Sequence, residues 1–230
     1  MTKRQSGSTR TGKTSTNKAS RPRFALDPYF ACLIYGAAGL GTLKLGTSPR
    51  LLLLWTTLLV LWIAFREGQT LKLHYSFSDI GRGAGIGLAF SLPLVLLAFR
   101  SLATAIPILF VSTEQPSLAG PAGTMIFASL VLVAPITEEL FFRDVLQRAN
   151  GLWITVGLYA AAGLISYLPT AGKYPAVLVA VSGATAVLGA LYAFLHERYG
   201  FTVSLACHTT VNLVLLCFPA LVGHLDWFAR

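Results

Sequence analysis

The sequence predicts an all-α, polytopic membrane protein, a transmembrane helical bundle of about seven spans, and three observations carry that reading. Of 230 residues, 54% are apolar and only 12% are charged, against about 45–50% and about 25% in a soluble domain. The mean hydropathy is +0.65, and runs such as Leu51–Phe65 and Gly83–Phe99 hold no ionisable residue. These runs are unbroken rather than alternating, which excludes the strands of a membrane barrel. Inside a bilayer the backbone must then satisfy itself as helix.

A helix needs roughly 20 mostly apolar residues to cross, and the chain divides into spans at 29–46, 51–65, 83–100, 123–147, 151–168, 175–196 and 200–218. An extra apolar piece at 102–112 is too short to cross and reads as re-entrant or interfacial, an eighth element if it is counted. Proline and glycine mark the joins: Pro49, Pro116, Pro121, Gly151, Pro169, Pro175 and Gly200. The formal charge of +9 does not indicate nucleic acid. Seven of the 18 Lys and Arg lie in residues 1–23, in a segment without hydrophobic period that reads as a disordered basic cytoplasmic tail, 1–27. A cleavable signal peptide is not expected ahead of the first span, because the apolar stretch starts late and no small-residue cleavage site stands out. Counting the remaining cations, with Arg66, Lys72, Arg82, Arg143, Arg148 and Arg198 inside against Lys44, Arg50, Arg100, Lys173 and Arg230 outside, places the amino terminus in the cytoplasm. The expected location is the plasma membrane of a prokaryote. Residues 28–118 form the amino-terminal spans, 119–222 the unit that carries the polar motifs, and 223–230 a short tail. Cys32, Cys207 and Cys217 fall in apolar stretches without metal-ligand spacing and read as small hydrophobes.

Ionisable groups inside spans are expensive, so each is a functional candidate. The fourth span carries Thr137-Glu138-Glu139-Leu140-Phe141-Phe142-Arg143-Asp144. Glu139 and Arg143 stand at i,i+4 with the acid first, the favoured order for an intrahelical ion pair. Adjacent helical residues diverge by about 100°, so Glu138 faces elsewhere and takes a partner from another helix or a proton. The last span carries Cys207-His208-Thr209-Thr210-Val211-Asn212, with His208 and Asn212 on one face, where an imidazole and an amide jointly donate to a developing oxyanion. Glu138 and His208 lie at matching depths from the cytoplasmic side. A polar staple between helices, worth roughly 0.6–2 kcal/mol, explains one such residue but not five.

These motifs resemble the CPBP family of membrane proteases, which includes the type II CAAX prenyl endopeptidases and the bacteriocin-processing and abortive-infection-like proteins. Glu138 to Arg143 looks like its EExxxR motif, His208 to Asn212 like its HxxxN motif, and Leu188–Tyr192 with Arg198–Gly200 like the approach to the last histidine. The resemblance covers about residues 120–220. It implies an intramembrane endopeptidase in which Glu138 activates water, Glu139 and Arg143 brace the helix, and His208 with Asn212 form the oxyanion hole. It also implies a membrane-anchored protein or peptide as substrate, the bilayer as surroundings, no cofactor and no nucleic acid. The sequence departs from the family at its FxxxH motif: Gly163 stands at the Phe position and Tyr167 at the His position, ahead of Leu168-Pro169. A phenol donates a hydrogen bond but does not exchange protons near pH 7 as imidazole does.

That departure keeps a second reading open, a pseudoprotease that retains fold and binding but not hydrolysis. A third is a small proton-coupled transporter using Glu138 and His208, although no inverted repeat is visible. Among other histidines, His196 ends the sixth span, His74 lies in a loop and His224 follows the last span. A zinc site built on Glu138 and His208 is the minor alternative, without an HExxH pattern to support it. Gly83, Gly85 and Gly87 sit inside an apolar span, where small residues serve close helix approach rather than nucleotide binding. Trp153 and Trp227 suit the membrane interface, while Trp55 and Trp62 fit no pattern.

Overall fold

The computed structural model describes residues 27–66, 76–110, 121–171 and 175–222. Most of the basic tail, His74, His224, Trp227 and the closing residues lie outside them. The described residues form seven helical rods and contain no strand. Helix α1 spans Pro28–Gly41, α2 Thr47–Phe65, α3 Phe77–Phe110, α5 Leu152–Ala171 and α6 Pro175–Tyr199. Helix α4 runs without interruption from Pro121 to Asn150, and α7 from Phe201 to Val222. Five of them, α2 to α6, are long and apolar enough to cross a membrane; α1 and the Phe201–Cys217 part of α7 are shorter apolar helices.

Two boundaries differ from the sequence reading. Helix α1 stops at Gly41, because the Thr42 backbone and hydroxyl both turn back onto the Ala38 carbonyl. The piece at 102–112 is not a separate element: its residues through Phe110 continue α3, which bends at Ala98 (φ −116°, ψ 16°) instead of ending. Arg100, read as a span boundary, has an exposed side chain, so its charge does not interrupt the apolar face that packs inward.

At one end of the bundle, α4 passes to α5 through Gly151 (φ 77°) and α6 to α7 through Gly200 (φ 92°). Both turns need the left-handed backbone that glycine adopts without steric cost. Helix α3 lies along α7, and α5 along α6. The α3–α7 contact explains the glycine series: a Cβ at Gly87 would meet the Cys207 carbonyl at 2.9 Å, whereas one at Gly85 would meet nothing. Gly83 and Gly87 are close-approach residues.

At Pro135 and Pro169 the helical carbonyl left without its N–H partner is served by a polar side chain from elsewhere. Pro169 has no N–H for the Ile165 carbonyl four residues earlier. The Arg50 guanidinium, 1% exposed, donates to that oxygen at 2.6 Å, to the Gly39 oxygen at 2.9 Å, and also to the Ser166 carbonyl. It ties the end of α1, the start of α2 and the proline-interrupted turn of α5. This is the arrangement by which membrane helices tolerate proline. Arg50 was counted as a loop cation, and so was Arg143, which is 0% exposed; both sit inside the protein, and since one came from each side the cation bias is unchanged. Replacing Arg50 with Met leaves these carbonyls bare and lowers stability by about 1–3 kcal/mol, readable as an earlier unfolding midpoint in a sodium dodecyl sulfate titration.

Candidate active site

The polar residues of α4 and α7 meet inside the bundle, and π-helical winding shapes how they do so. Helix α4 contains π segments at Ser129–Val133 and Glu139–Gln147, and α7 contains one at Leu213–Cys217. Such segments recur at functional sites because they shift side chains relative to the α register. In the first segment the Ala134 N–H reaches back to the Ser129 carbonyl. The residue that would serve Leu130 in that register is Pro135, which has no N–H. Asn212 supplies the donor, with Nδ2 at 2.8 Å from the Leu130 carbonyl. One of its two amide N–H groups is thus committed to the backbone of α4.

His208, 2% exposed, stands between the two glutamates. Its Nδ1 lies 3.2 Å from Glu139 Oε1, and its Nε2 faces Glu138 Oε2 at 3.7 Å. Glu139 is almost fully buried, accepts a hydrogen bond from the Ser204 hydroxyl at 2.6 Å, and lies 3.7 Å from Arg143 Nε. A carboxylate so placed is an acceptor, so Nδ1 carries the proton and Nε2 is the nitrogen turned toward Glu138. The ring stacks on Tyr192, with centroids 4.1 Å apart at 18°. The divergence of the glutamates along α4 is real, yet both reach the same imidazole from opposite sides.

Glu138 draws its partners from other helices. Tyr159 of α5 donates to Oε2 at 2.6 Å, and Trp55 of α2 donates to Oε1 at 3.3 Å. Seven residues along α2, Trp62 donates to Asp144 at 3.1 Å, and Asp144 pairs with Arg148 at 2.7 Å. The two tryptophans that fitted no sequence pattern thus fasten α2 to the acidic face of α4. Tyr159 is fixed on three sides. Its ring lies edge-on to Phe142 at 5.0 Å and under the Arg143 guanidinium at 5.0 Å, and a Cβ at Gly189 would strike it at 2.6 Å. Arg143 in turn donates to the Gly189 carbonyl at 3.1 Å.

Tyr167, two turns beyond Tyr159, packs edge-on against Phe110 at 5.7 Å and lines the same cavity, but the hydroxyl bonded to Glu138 is that of Tyr159. Sequence reasoning did not single out Tyr159, Trp55, Ser204 or Tyr192. The signal that would have found Tyr159 is its position eight residues before Tyr167, about 80° round α5 and so within one broad helix stripe.

The cavity has a volume of about 360 Å³. Glu138, His208, Asn212 and Tyr159 form its polar end, and apolar side chains such as Leu51, Ile106, Leu109, Val181 and Leu216 form most of the rest. The two nitrogens of His208 address different carboxylates, so Glu138, Glu139 and His208 do not aim lone pairs at one point. Among the described residues no group of three His, Cys, Asp or Glu is arranged to hold a metal ion.

No curated protein and no solved structure matches the chain. Residues 120–214 match the family model described as type II CAAX prenyl endopeptidase Rce1-like, a family of proteases, and among the described residues they supply the polar contacts to the glutamates and His208 apart from that of Trp55.

Proposed function

We propose that the chain is an intramembrane endopeptidase that cleaves a peptide bond of a membrane-anchored protein or peptide, with Glu138 as general base. The observation that carries this reading is the facing of Glu138 and His208 Nε2 at 3.7 Å, too far to bond each other, at the polar end of an apolar cavity. A water between Glu138 and a substrate carbonyl gives its proton to the carboxylate as its oxygen attacks the carbonyl carbon. The carbonyl oxygen takes the negative charge and accepts hydrogen bonds from His208 Nε2–H, present when the ring is doubly protonated, and from the second N–H of Asn212. When the intermediate collapses, the C–N bond breaks and Glu138 returns its proton to the leaving nitrogen. The products are a carboxylate and an amine, with no cofactor in the balance. Glu139 and Arg143 hold His208, while Tyr159 and Trp55 hold Glu138.

The test is a cleavage assay with purified protein in liposomes against a panel of membrane-anchored peptides, comparing wild type with Glu138→Ala and His208→Ala. Cleavage by wild type, lost in both variants, supports the reading. Cleavage that survives in both sinks it. In an active preparation, Tyr159→Phe removes one donor to a charged group, worth about 1.5–3 kcal/mol, and lowers kcat by about ten- to a hundredfold with KM little changed.

One observation favours a second reading, a pseudoprotease that binds without hydrolysing. Helix α5 offers Glu138 the phenol of Tyr159, and Tyr167, which the sequence register sets at the histidine position of the resembling family, lines the same cavity. On this reading wild type is silent and Tyr167→His gains cleavage.

A further inference from the structure

The cavity is walled on one side and open on another. Leu51, Trp55 and Leu58 of α2 and Leu130 and Ala134 of α4, which line it, are at most 4% exposed. On α6 the lining residues run at helical spacing from Val177 to Tyr192, a single stripe. Yet no residue from Pro175 to Leu188 is buried, and Ala180 and Ala184 of that stripe are exposed. The packing of α6 explains the difference. It meets α7 beside the Gly200 turn, where Tyr192 stacks on His208 and its carbonyl accepts from the Ser204 hydroxyl at 2.9 Å. Beyond Asn212 the two helices diverge, and among the described residues α6 makes no extended contact with Leu213–Val222 or with α3. A window is left between the amino half of α6, Leu215 and Leu216 of α7, and the stretch of α3 past its bend, where the cavity-lining Ser101 is exposed as well. Two sides of its rim are uncharged: neither α6 from Pro175 to Leu195 nor α7 from Thr209 to Val222 carries a charged residue. Val179, Val187 and Leu213 are exposed beside it. In a membrane span such a face meets the hydrocarbon of the bilayer.

We propose that an acyl chain of a bilayer phospholipid occupies the cavity at rest, entering sideways through the α6 window, so that a substrate binds by displacing lipid. An apolar cavity left empty forfeits the dispersion contacts of its lining, and water settles only where it finds about two to four polar partners. The polar end at Glu138, Tyr159, His208 and Asn212 meets that condition, whereas the lining made by Leu51, Leu109 and Val181 does not. Lipid tails are as apolar as leucine, so a chain moving from the bilayer into the cavity gains contacts without any desolvation. The small side chains at Ala180 and Ala184 leave it room to pass. The resting occupant is independent of the endopeptidase reading and goes beyond it.

The test is photolabelling of the full-length protein in phosphatidylcholine vesicles doped with a phosphatidylcholine whose acyl chain ends in a diazirine, with adducts mapped by mass spectrometry. Adducts are expected on Leu51 and Leu58, which are buried from outside and face the cavity, and on Val187 and Leu213, which are exposed. None is expected on Leu146 and Val203, both 0% exposed and away from the cavity. Adducts on the exposed residues without any on Leu51 and Leu58 overturn the proposal. Ala180→Trp combined with Ala184→Trp fills the window, so the adducts on Leu51 and Leu58 are lost while those on Val187 and Leu213 persist. Cavity adducts that survive both tryptophans overturn the α6 window as the route. A variant that loses its packing shows adducts on Leu146, and the smaller Ala184→Leu then decides in its place. The readout needs no activity: cavity adducts without peptide cleavage leave the lipid occupant standing, and cleavage without cavity adducts removes it while the endopeptidase reading remains.

Discussion

Glu138→Gln abolishes cleavage with the protein still folded: kcat falls by about two to four decades, the range for losing a general acid–base group. The substitution is nearly isosteric. A glutamine at this place keeps an oxygen to accept from Trp55 or Tyr159, and its amide donates to the Tyr159 oxygen if the head group turns. It removes the one property the mechanism needs, a carboxylate that takes a proton from water and returns it to the leaving nitrogen. On this reading the apolar part of a substrate lies along Leu51, Ile106, Leu109 and Val181, which line the cavity, so KM is expected to change little. The measurement is a paired one, initial rates on the anchored-peptide panel and a melting curve for each protein. A variant that melts with wild type but retains more than about a tenth of kcat removes Glu138 from the role of base.

The parts legible in sequence were those with a local periodic signal. Apolar runs without charge mark α2 to α6, and the i,i+4 spacings put Glu139 beside Arg143 and His208 one turn from Asn212. Matching depth along two spans was enough to bring Glu138 and His208 together. What stayed hidden depended on another helix. Trp55 and Tyr159 are aromatic residues in apolar runs, and only the packing of α2 and α5 against α4 shows that their N–H and O–H address Glu138. The orphan carbonyls of Leu130 and Ile165 follow from Pro135 and Pro169, which the sequence displays. Their partners, Asn212 and Arg50, lie 82 and 115 residues away. The π winding from Glu139 to Gln147 has no sequence signature, yet the glutamate pair lies at its start, and both acids reach one imidazole.

These partnerships divide the site into a held half and an acting half. Glu139 has its oxygens occupied by Ser204 and His208, with Arg143 close by, whereas Glu138 is partly exposed to the cavity and meets His208 only at 3.7 Å. Trp55 lies outside the segment that matches the protease family model, so the setting of Glu138 depends on α2 as well as on the matched residues.

His208→Ala carries the second large effect, a loss of about 10²–10³ in kcat, the usual cost of removing one oxyanion donor. The argument runs through the fixed ring. Stacking on Tyr192 sets its plane, and the Glu139 carboxylate sets its tautomer, so Nε2 reaches the cavity without rearrangement. Because Nδ1–H is already given to Glu139, an Nε2–H donor requires the doubly protonated ring, flanked by one carboxylate on each side. On this mechanism turnover therefore needs Glu138 as the carboxylate and both ring nitrogens of His208 carrying a proton. Glu139→Gln separates positioning from donation. It leaves His208 in place but removes its anionic partner, so kcat falls while the peptide preference does not change. Asn212→Leu differs from both: it frees the Leu130 carbonyl as well as removing an N–H, so stability and kcat fall together. If His208→Ala retains its rate while Asn212→Leu loses it, the oxyanion is held by the amide alone, and the imidazole between the glutamates is a structural link.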